Sequence, residues 1–399
     1  MATDSIAVLG AGIGGLAFAA LAARAGRQVR VFDQFETARP LGSGLVIQPV
    51  GQAVLRAVGA QAAFDLGQPI RRMQGDETSG RRVLDVSYDH GGSDRFGLAI
   101  HRSSLFQSLL GAAQTAGAEL RSGHKVSGRR GSRVRFADGS EAGPFNLIVD
   151  ALGAGSPLSP LKARMLPYCA IWGTVPWPET GLPRNQLTQR YRRADCMIGA
   201  LPIGRMPGAQ TPLAAIFWSL GPGAYQRWRA APIADWKAEA TTLWPEFAPF
   251  LATITSHEQM TLARYSHGTL ARPIGEGIAH IGDAAHRASP QLGQGANMAL
   301  LDAHALWLAV ARNHHLPDAL SGYAKARRWH VLCYQAMSAA FTPLYQSDSR
   351  VVLPVLRDRV FMPLSLVPPI PRVLSRLVCG DLMPPYGSLP ADKTAKDFG

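Results

Sequence analysis

Cysteine is scarce in this chain. There are four in 399 residues, Cys169, Cys196, Cys333 and Cys379, all far apart. Without a CxxC pair or a Cys/His ligand spacing, the pattern excludes a disulfide framework and a zinc motif, and it fits reduced thiols in a cytoplasmic protein with no metal site. Acidic residues are also few: 28 Asp and Glu against 41 Lys and Arg, for a formal charge of +13. That balance favours anionic ligands or an acidic surface as partners. The basic residues form short clusters, such as Arg129, Arg130, Arg133 and Arg135, or Arg190, Arg192 and Arg193. No nucleic-acid motif surrounds them, so they read as solvated strand and loop faces, and no nucleic-acid partner is expected. Long apolar runs are missing as well, and Asp4 stands where a secretory leader wants Lys or Arg. A soluble or at most peripheral protein follows.

What is present is enough apolar sequence, 47%, for buried cores, over a length that suits two connected domains. At the start, "SIAVLG" reads as a buried strand, "GLAFAALAARAG" as a helix closing on Gly26, and "QVRVFD" as a second strand. Strand, glycine turn, helix and strand make a right-handed βαβ unit with parallel strands. The three glycines do different things. Gly10 permits the tight turn, Gly12 lets the backbone approach a pyrophosphate, and Gly15 lets helix and strand pack closely. Asp33, ending the second strand, is placed to accept from an adenosine ribose. The motif alone does not separate NAD from FAD.

Further along, "GLAIHRSSLFQSLLGAAQTAG" is a strand running into a helix capped by Ser103 or Ser104, with Arg102 at the junction, either meeting a phosphate or lying on the surface. "GSRVRFADGSEAG" reads as a hairpin and "FNLIVDALGAGS" as a buried strand. Residues 165 to 265 alternate strand-like runs with Pro and Gly, predicting an antiparallel sheet that carries Trp172, Trp177 and Trp218 as core or as substrate walls. A second ligand-facing loop lies in "GIAHIGDAAHRASPQLGQGANMALLDAHALWLAVAR". Asp283 sits there at a strand's carboxyl end, and Pro290, Gly293 and Gly295 lead into a helix starting near Asn297. From about residue 340 prolines cut an apolar, arginine-bearing tail into short pieces. It could pack over the first domain, close a homodimer or rest on a membrane.

With "GAGIGG", then "HRSSL", then "IGDAAHRASPQLGQGANMALLDA", the chain resembles the single-component FAD-dependent aromatic hydroxylases, the group A flavoprotein monooxygenases, over roughly residues 5 to 330. The resemblance implies an α/β fold: a Rossmann-like FAD-binding domain (1–70, 101–160, 266–345), an inserted antiparallel β-sheet substrate domain (71–100, 161–265) and a helical C-terminal segment (346–399). It implies that Gly10, Gly12, Gly15, Asp33, Gln34, Arg102, Val126, Gly282 and Asp283 bind FAD. The loop of Pro290, Gly293, Gln294, Gly295, Ala296 and Asn297 would lie against the flavin ring, with Pro290 and Gly295 the nearest thing to catalytic positions. Backbone N–H groups at that helix start would stabilise the negative charge of a reduced flavin. Family topology makes Gln48, Trp172, Tyr191 and Trp218 pocket candidates. The implied activity is insertion of one oxygen atom from O2, by way of a flavin C4a-hydroperoxide, into an aromatic or polycyclic small molecule, with NADPH or NADH as electron donor. A flavoprotein oxidase or dehydrogenase is the alternative.

One motif departs from the pattern. Where the family has Val-Gly-Ala-Asp-Gly, this chain has Val149, Asp150, Ala151, Leu152 and Gly153, so Leu152 occupies the acid's place. Either Asp150 or a neighbouring backbone group takes over, or electrons arrive from a separate reductase. No general base stands out, and His286 reads as a structural hydrogen-bonder.

Overall fold

The computed structural model describes residues 5–36, 42–92, 94–387 and 389. Asp4 and the end of the tail lie outside them. Strand β1 (Ser5–Leu9) is apolar and buried on both faces, as a central parallel strand requires. It pairs in parallel with β2 (Gln28–Phe32) on one side and with Leu147–Asp150 on the other. Parallel pairing continues to Glu119–Arg121 and to Ile278–His280, and the short antiparallel strand Ile274–Gly275 closes one edge.

Helix α1 (Ile13–Arg24) joins β1 to β2 and is buried along most of its length, because it lies between this sheet and the helix Gly295–Arg312. Small residues make that approach possible: a Cβ on Gly14 would stand 3.0 Å from the Ala299 carbonyl. The helix stops at Arg24, and Gly26, with φ of +80°, donates back to the Ala23 carbonyl. That is the predicted glycine stop.

The second large sheet has eight strands, built around the long strand Arg164–Pro176, which pairs antiparallel with Leu213–Leu220 and Met260–Thr269. One neighbour departs from the antiparallel expectation. Gln186–Arg192 runs parallel to Arg72–Glu77, since more than a hundred residues of chain separate them and no tight turn fixes their direction. The strand expectation for residues 165 to 265 also fails at its end, where three helices form, Ala224–Ala230, Ile233–Leu243 and Ala248–Leu251. Trp228, Trp236, Ala240 and Trp244 recur at four- and eight-residue spacing, a helical period, and they bury against the outer face of the sheet around Trp218.

Between the two sheets, Gly44–Ile47, Gly97–His101 and Gln68–Ile70 form a small antiparallel sheet. The helix that follows, Arg102–Thr115, is capped by His101 rather than by a serine. The His101 Nδ1 accepts from the Ser103 N–H at 3.1 Å. Burial lowers the His101 pKa, which keeps this nitrogen an acceptor, and Ser104 is turned inward to donate to the Arg205 carbonyl at 3.0 Å.

The tail continues from a 30-residue helix, Leu316–Tyr345, into one uninterrupted helical stretch, made of Val352–Val355, Leu356–Phe361 and Met362–Ser365, that its prolines do not cut, and then into Ile370–Cys379. Of the three expectations for it, packing is what the fold displays, though over the junction between the sheets rather than over the first domain alone. Ser375 donates to the Tyr88 carbonyl at 3.1 Å, and Arg95 pairs with Asp381 at 2.7 Å.

Candidate active site

A cavity of about 760 Å³ runs from the first glycine loop, past the second loop, to the eight-stranded sheet and the tail. At its first end the loop is folded tightly. Gly10 has φ of +99°, and a Cβ there would stand 2.4 Å from the Ala151 carbonyl oxygen; one on Gly15 would stand 2.0 Å from the Gly10 carbonyl oxygen. Only glycine fits either position. Gly12 lines the cavity at the start of α1, and no side chain caps that helix, so its first N–H groups are available to an anion.

Asp33 faces this loop. Its carboxylate accepts from the Ala11 N–H at 2.6 Å and from the Phe35 N–H at 3.2 Å, which fixes the loop and leaves lone pairs over for a ribose. Gln34 is exposed beside it. Val126 is buried with Phe32 and Phe136 and does not line the cavity, because its alternation in the hairpin turns it into that core. Arg102 is exposed at the cavity wall, its backbone N–H donating to the Ser43 carbonyl at 3.0 Å.

The second loop is held from behind. Asp302, buried on the helix Gly295–Arg312, accepts from the Gly282 N–H at 2.9 Å, from His286 Nε2 at 2.6 Å and from Arg327 Nε at 2.7 Å. Burial alone would raise its pKa, but His286 and Arg327 outweigh it and pull the group down to about 2. His286 is thereby occupied away from the cavity. Asp283 stays exposed and lines the wall, while Arg287 crosses it, donating to the Asp283 and Ala154 carbonyls at 3.0 and 2.7 Å.

Pro290, Gly293, Gly295 and Ala296 line the cavity, and the helix begins at Gly295, two residues before the expected Asn297. The Asn297 side chain is turned away from the cavity. It accepts from the Gln48 N–H at 2.7 Å and donates to the Val46 and Gly293 carbonyls at 3.2 and 3.1 Å. Gln294 donates to the Val378 carbonyl at 2.8 Å. Both side chains tether the loop, so what faces a ligand is backbone: the helix has no side-chain cap, and its first N–H groups make a site for a carbonyl oxygen or an anion. Gln48 is fully buried behind Gly293, accepts from the Tyr88 hydroxyl at 2.6 Å and does not line the cavity, contrary to the pocket expectation.

In the middle motif, Asp150 is fully buried and engaged by Leu152 N–H, Ser156 Oγ and His280 Nδ1 at 3.2, 2.7 and 2.7 Å. It is therefore not free to replace the missing acid. Leu152 packs against the apolar cluster around Phe145 and Ile148.

At the far end, Trp172 and Phe217 pack with ring centroids 4.5 Å apart and planes tilted by 31°, and Trp172 Nε1 donates to the Tyr265 hydroxyl at 3.1 Å. Burial pushes the Tyr265 phenol up to about 12. Tyr191 also lines the cavity, with the Arg357 guanidinium 5.2 Å from its ring. Trp218 does not. It follows Phe217 on the same strand, so the pleat turns it to the opposite face, against Trp236.

Residues 8–38 match an NAD(P)-binding Rossmann-like domain and residues 224–332 an FAD binding domain. The chain is 29% identical over 374 residues to a probable 2-heptyl-3-hydroxy-4(1H)-quinolone synthase, AqdB2, of Rhodococcus erythropolis, covering 88% of this chain and 91% of that protein. It is 29% identical over 321 residues to 6-hydroxynicotinate 3-monooxygenase of Bordetella bronchiseptica, covering 75% and 80%. Its fold matches the tetrameric form of 2-methyl-3-hydroxypyridine-5-carboxylic acid oxygenase with a TM-score of 0.76 at 20% identity, over 90% of this chain and 97% of that one. The chain carries an FAD binding domain and is similar over most of its length to the group A FAD-dependent aromatic hydroxylases.

FAD is the cofactor, and the residues present fit it. The backbone cradle at Gly10 and Gly15, where any Cβ would collide, and the two uncapped helix starts would offer the phosphates and the ring backbone donors at two places along one cavity. Sequence reasoning missed Tyr265, Phe217, Arg287 and Asp302. The last two lie inside the second-loop motif and were legible as charges within it; the first two needed the strand pairing, which decides the face that looks inward.

Proposed function

We propose that this monooxygenase hydroxylates a planar, fused heteroaromatic ring bearing an apolar chain, with NAD(P)H as reductant. The observation that carries the reading is the division of the cavity. Trp172, Phe217 and Tyr265 form an aromatic wall, and the tail residues Met362, Leu364 and Ile370 continue it as an apolar channel. The relative named for a heptyl quinolone supports the fused ring and the chain, and the one named for hydroxynicotinate supports a nitrogen heteroaromatic.

Bound FAD supplies electron transfer and activation of O2; one oxygen atom goes to the substrate and the other leaves as water, for two electrons and two protons. The protein's part is placement and shielding. The first glycine loop and the start of α1 would hold the pyrophosphate, with Asp33 at the ribose, Gln34 beside it and Arg102 near a phosphate. Gly282 and Asp283 would meet the ribityl chain. The N–H groups at the start of the helix Gly295–Arg312 would stabilise negative charge on the ring without reorganising, beside Pro290, Gly293 and Ala296. Trp172 and Tyr191 would wall the substrate, and the tail over the cavity excludes water from the reacting atoms.

A second reading concerns the electrons. Because Asp150 is consumed internally and Leu152 stands in the acid's place, a separate reductase is the competing source. Anaerobic mixing with NADPH and NADH, with and without alkylated and unalkylated quinolones, separates the two. Bleaching of the flavin absorbance, accelerated by an alkylated compound, is the expected result. Flavin that dithionite reduces but neither nucleotide does would overturn the NAD(P)H assignment. Incorporation of label from ¹⁸O₂ into product tests oxygen insertion, and its absence alongside substrate-driven reduction would move the protein to the oxidases.

A further inference from the structure

The tail that roofs the cavity also carries the largest run of exposed apolar side chains among the described residues. Val351, Val352, Leu366 and Val367 are 66, 72, 59 and 52% exposed, and Phe361 and Leu364, at 41 and 47%, both line the cavity and face outward. The surface is therefore continuous with the cavity mouth. Its charge has one sign. Residues 349–375 contain Arg350, Arg357, Arg359 and Arg372 against one acid, Asp358, and that acid is bonded to the buried Arg357 at 2.6 Å. Arg350, Arg359 and Arg372 are exposed and form no ion pair with a carboxylate among the described residues.

We propose that this face docks on an anionic lipid bilayer, and that the apolar substrate enters the cavity from the bilayer between Phe361 and Leu364. Exposed Val and Leu side chains would enter the boundary between headgroups and acyl chains while the arginines meet lipid phosphates. The alternative occupant, a second copy of this chain, would bring the arginines of two identical faces together with no acid between them, which like-charge repulsion disfavours. The segment lies on the bilayer and does not cross it: Pro368 and Pro369 separate the helical stretch 352–365 from Ile370–Cys379, and among the described residues no helix is long and apolar enough to span a membrane. The route of entry rests on the apolar-substrate reading; the docking itself rests on the surface.

The test is co-sedimentation of the holoenzyme with phosphatidylcholine vesicles and with vesicles containing phosphatidylglycerol, without substrate, so that a failure of the substrate reading leaves it untouched. The expected result is pelleting with the anionic vesicles only, weakened by salt. Two variants at residues that do not line the cavity sharpen it. R359Q/R372Q should bind roughly thirtyfold more weakly, from two lost cations, and V352S/L366S should also lose binding, both with unchanged FAD content and melting temperature. Equal recovery in the supernatant with both vesicle types, or variants that pellet like the parent, would overturn the proposal. So would a concentration-dependent dimer that V352S/L366S disperses, since that assigns the face to a second copy.

Discussion

Replacing Asp302 by Asn keeps the side chain's shape and removes its charge. In the parent protein one buried carboxylate takes three donors, from Gly282, His286 and Arg327. In D302N the amide offers a single oxygen to those donors and turns an NH₂ group toward the rest, leaving the buried Arg327 cation uncompensated. Removing one partner of a buried ion pair costs about 3–5 kcal/mol. With an unfolding entropy near 2.1 cal/mol/K per residue, 399 residues give about 0.84 kcal/mol/K, so the melting temperature should fall by about 4–6 °C. The effect should reach the cofactor, because Asp302 fixes the Gly282 turn and the Asp283 wall; FAD release should precede unfolding. The acid limb carries a second signature. The Asp302 pKa is lowered on folding, from 3.8 to about 2, so its stabilisation is present above the unfolded value and disappears as pH falls through the folded one. D302N should lack that loss between about pH 4 and 2. Circular dichroism melts and flavin fluorescence, across pH, measure both. A D302N protein that melts with the parent and retains its flavin would refute the reasoning.

The glycine loop distinguishes folding from binding: G10A meets the Ala151 carbonyl at 2.4 Å and a φ of +99°, whereas a Cβ on Gly12 stands 3.8 Å from its nearest neighbour. G10A should lose about 1–2 kcal/mol or more of stability along with its flavin, and G12A should lose flavin with the apoprotein's melting temperature unchanged, as absorbance after desalting and thermal melts would show. His330 accepts from Arg327 through Nδ1 and donates to the Gly380 carbonyl through Nε2, and burial together with Arg327 holds its pKa at about 3, below the ordinary 6.5. The unfolded state binds the proton first, so stability should fall as pH drops from 6.5 toward 3, by up to about 1.4 kcal/mol per pH unit, and H330Q should flatten that slope in urea titrations. Y265F leaves the Trp172 N–H without its acceptor beside the aromatic wall; substrate affinity should weaken about tenfold with flavin reduction by dithionite unchanged, as equilibrium titration would show.

Much of the cofactor half was legible in the sequence because its constraints are local. Gly10, Gly15 and the βαβ pattern around them follow from sterics within thirty residues, and the second loop announces itself through Asp283, Pro290 and Gly295 at one strand end. The substrate half depends on pairings across long stretches of chain. Trp218 and Phe217 are equally apolar neighbours, and only the register of Arg164–Pro176 against Leu213–Leu220 decides which one faces the cavity. Gln48 and Val126 sit on the correct segments, but the burial of one behind Gly293 and of the other in the hairpin core arises from packing between elements. The helices of residues 224–251 were hidden by the same prolines and glycines that punctuate strands, although their tryptophans keep a helical period.

The helix Leu316–Tyr345 works as a ruler. Its 30 residues span about 45 Å. Near one end Tyr323 donates to the His280 carbonyl, at the tip of the cofactor sheet, at 2.9 Å, and at the other Phe341, Leu344 and Tyr345 line the cavity. A single inserted residue between these points would rotate the cavity-facing side chains by about 100° and advance them by about 1.5 Å. The distance from cofactor sheet to substrate wall is thus quantised in helical turns, whereas the segment beyond Tyr345 carries no such phase. Changes of substrate size can accumulate in that segment while the spacing that serves the flavin stays fixed.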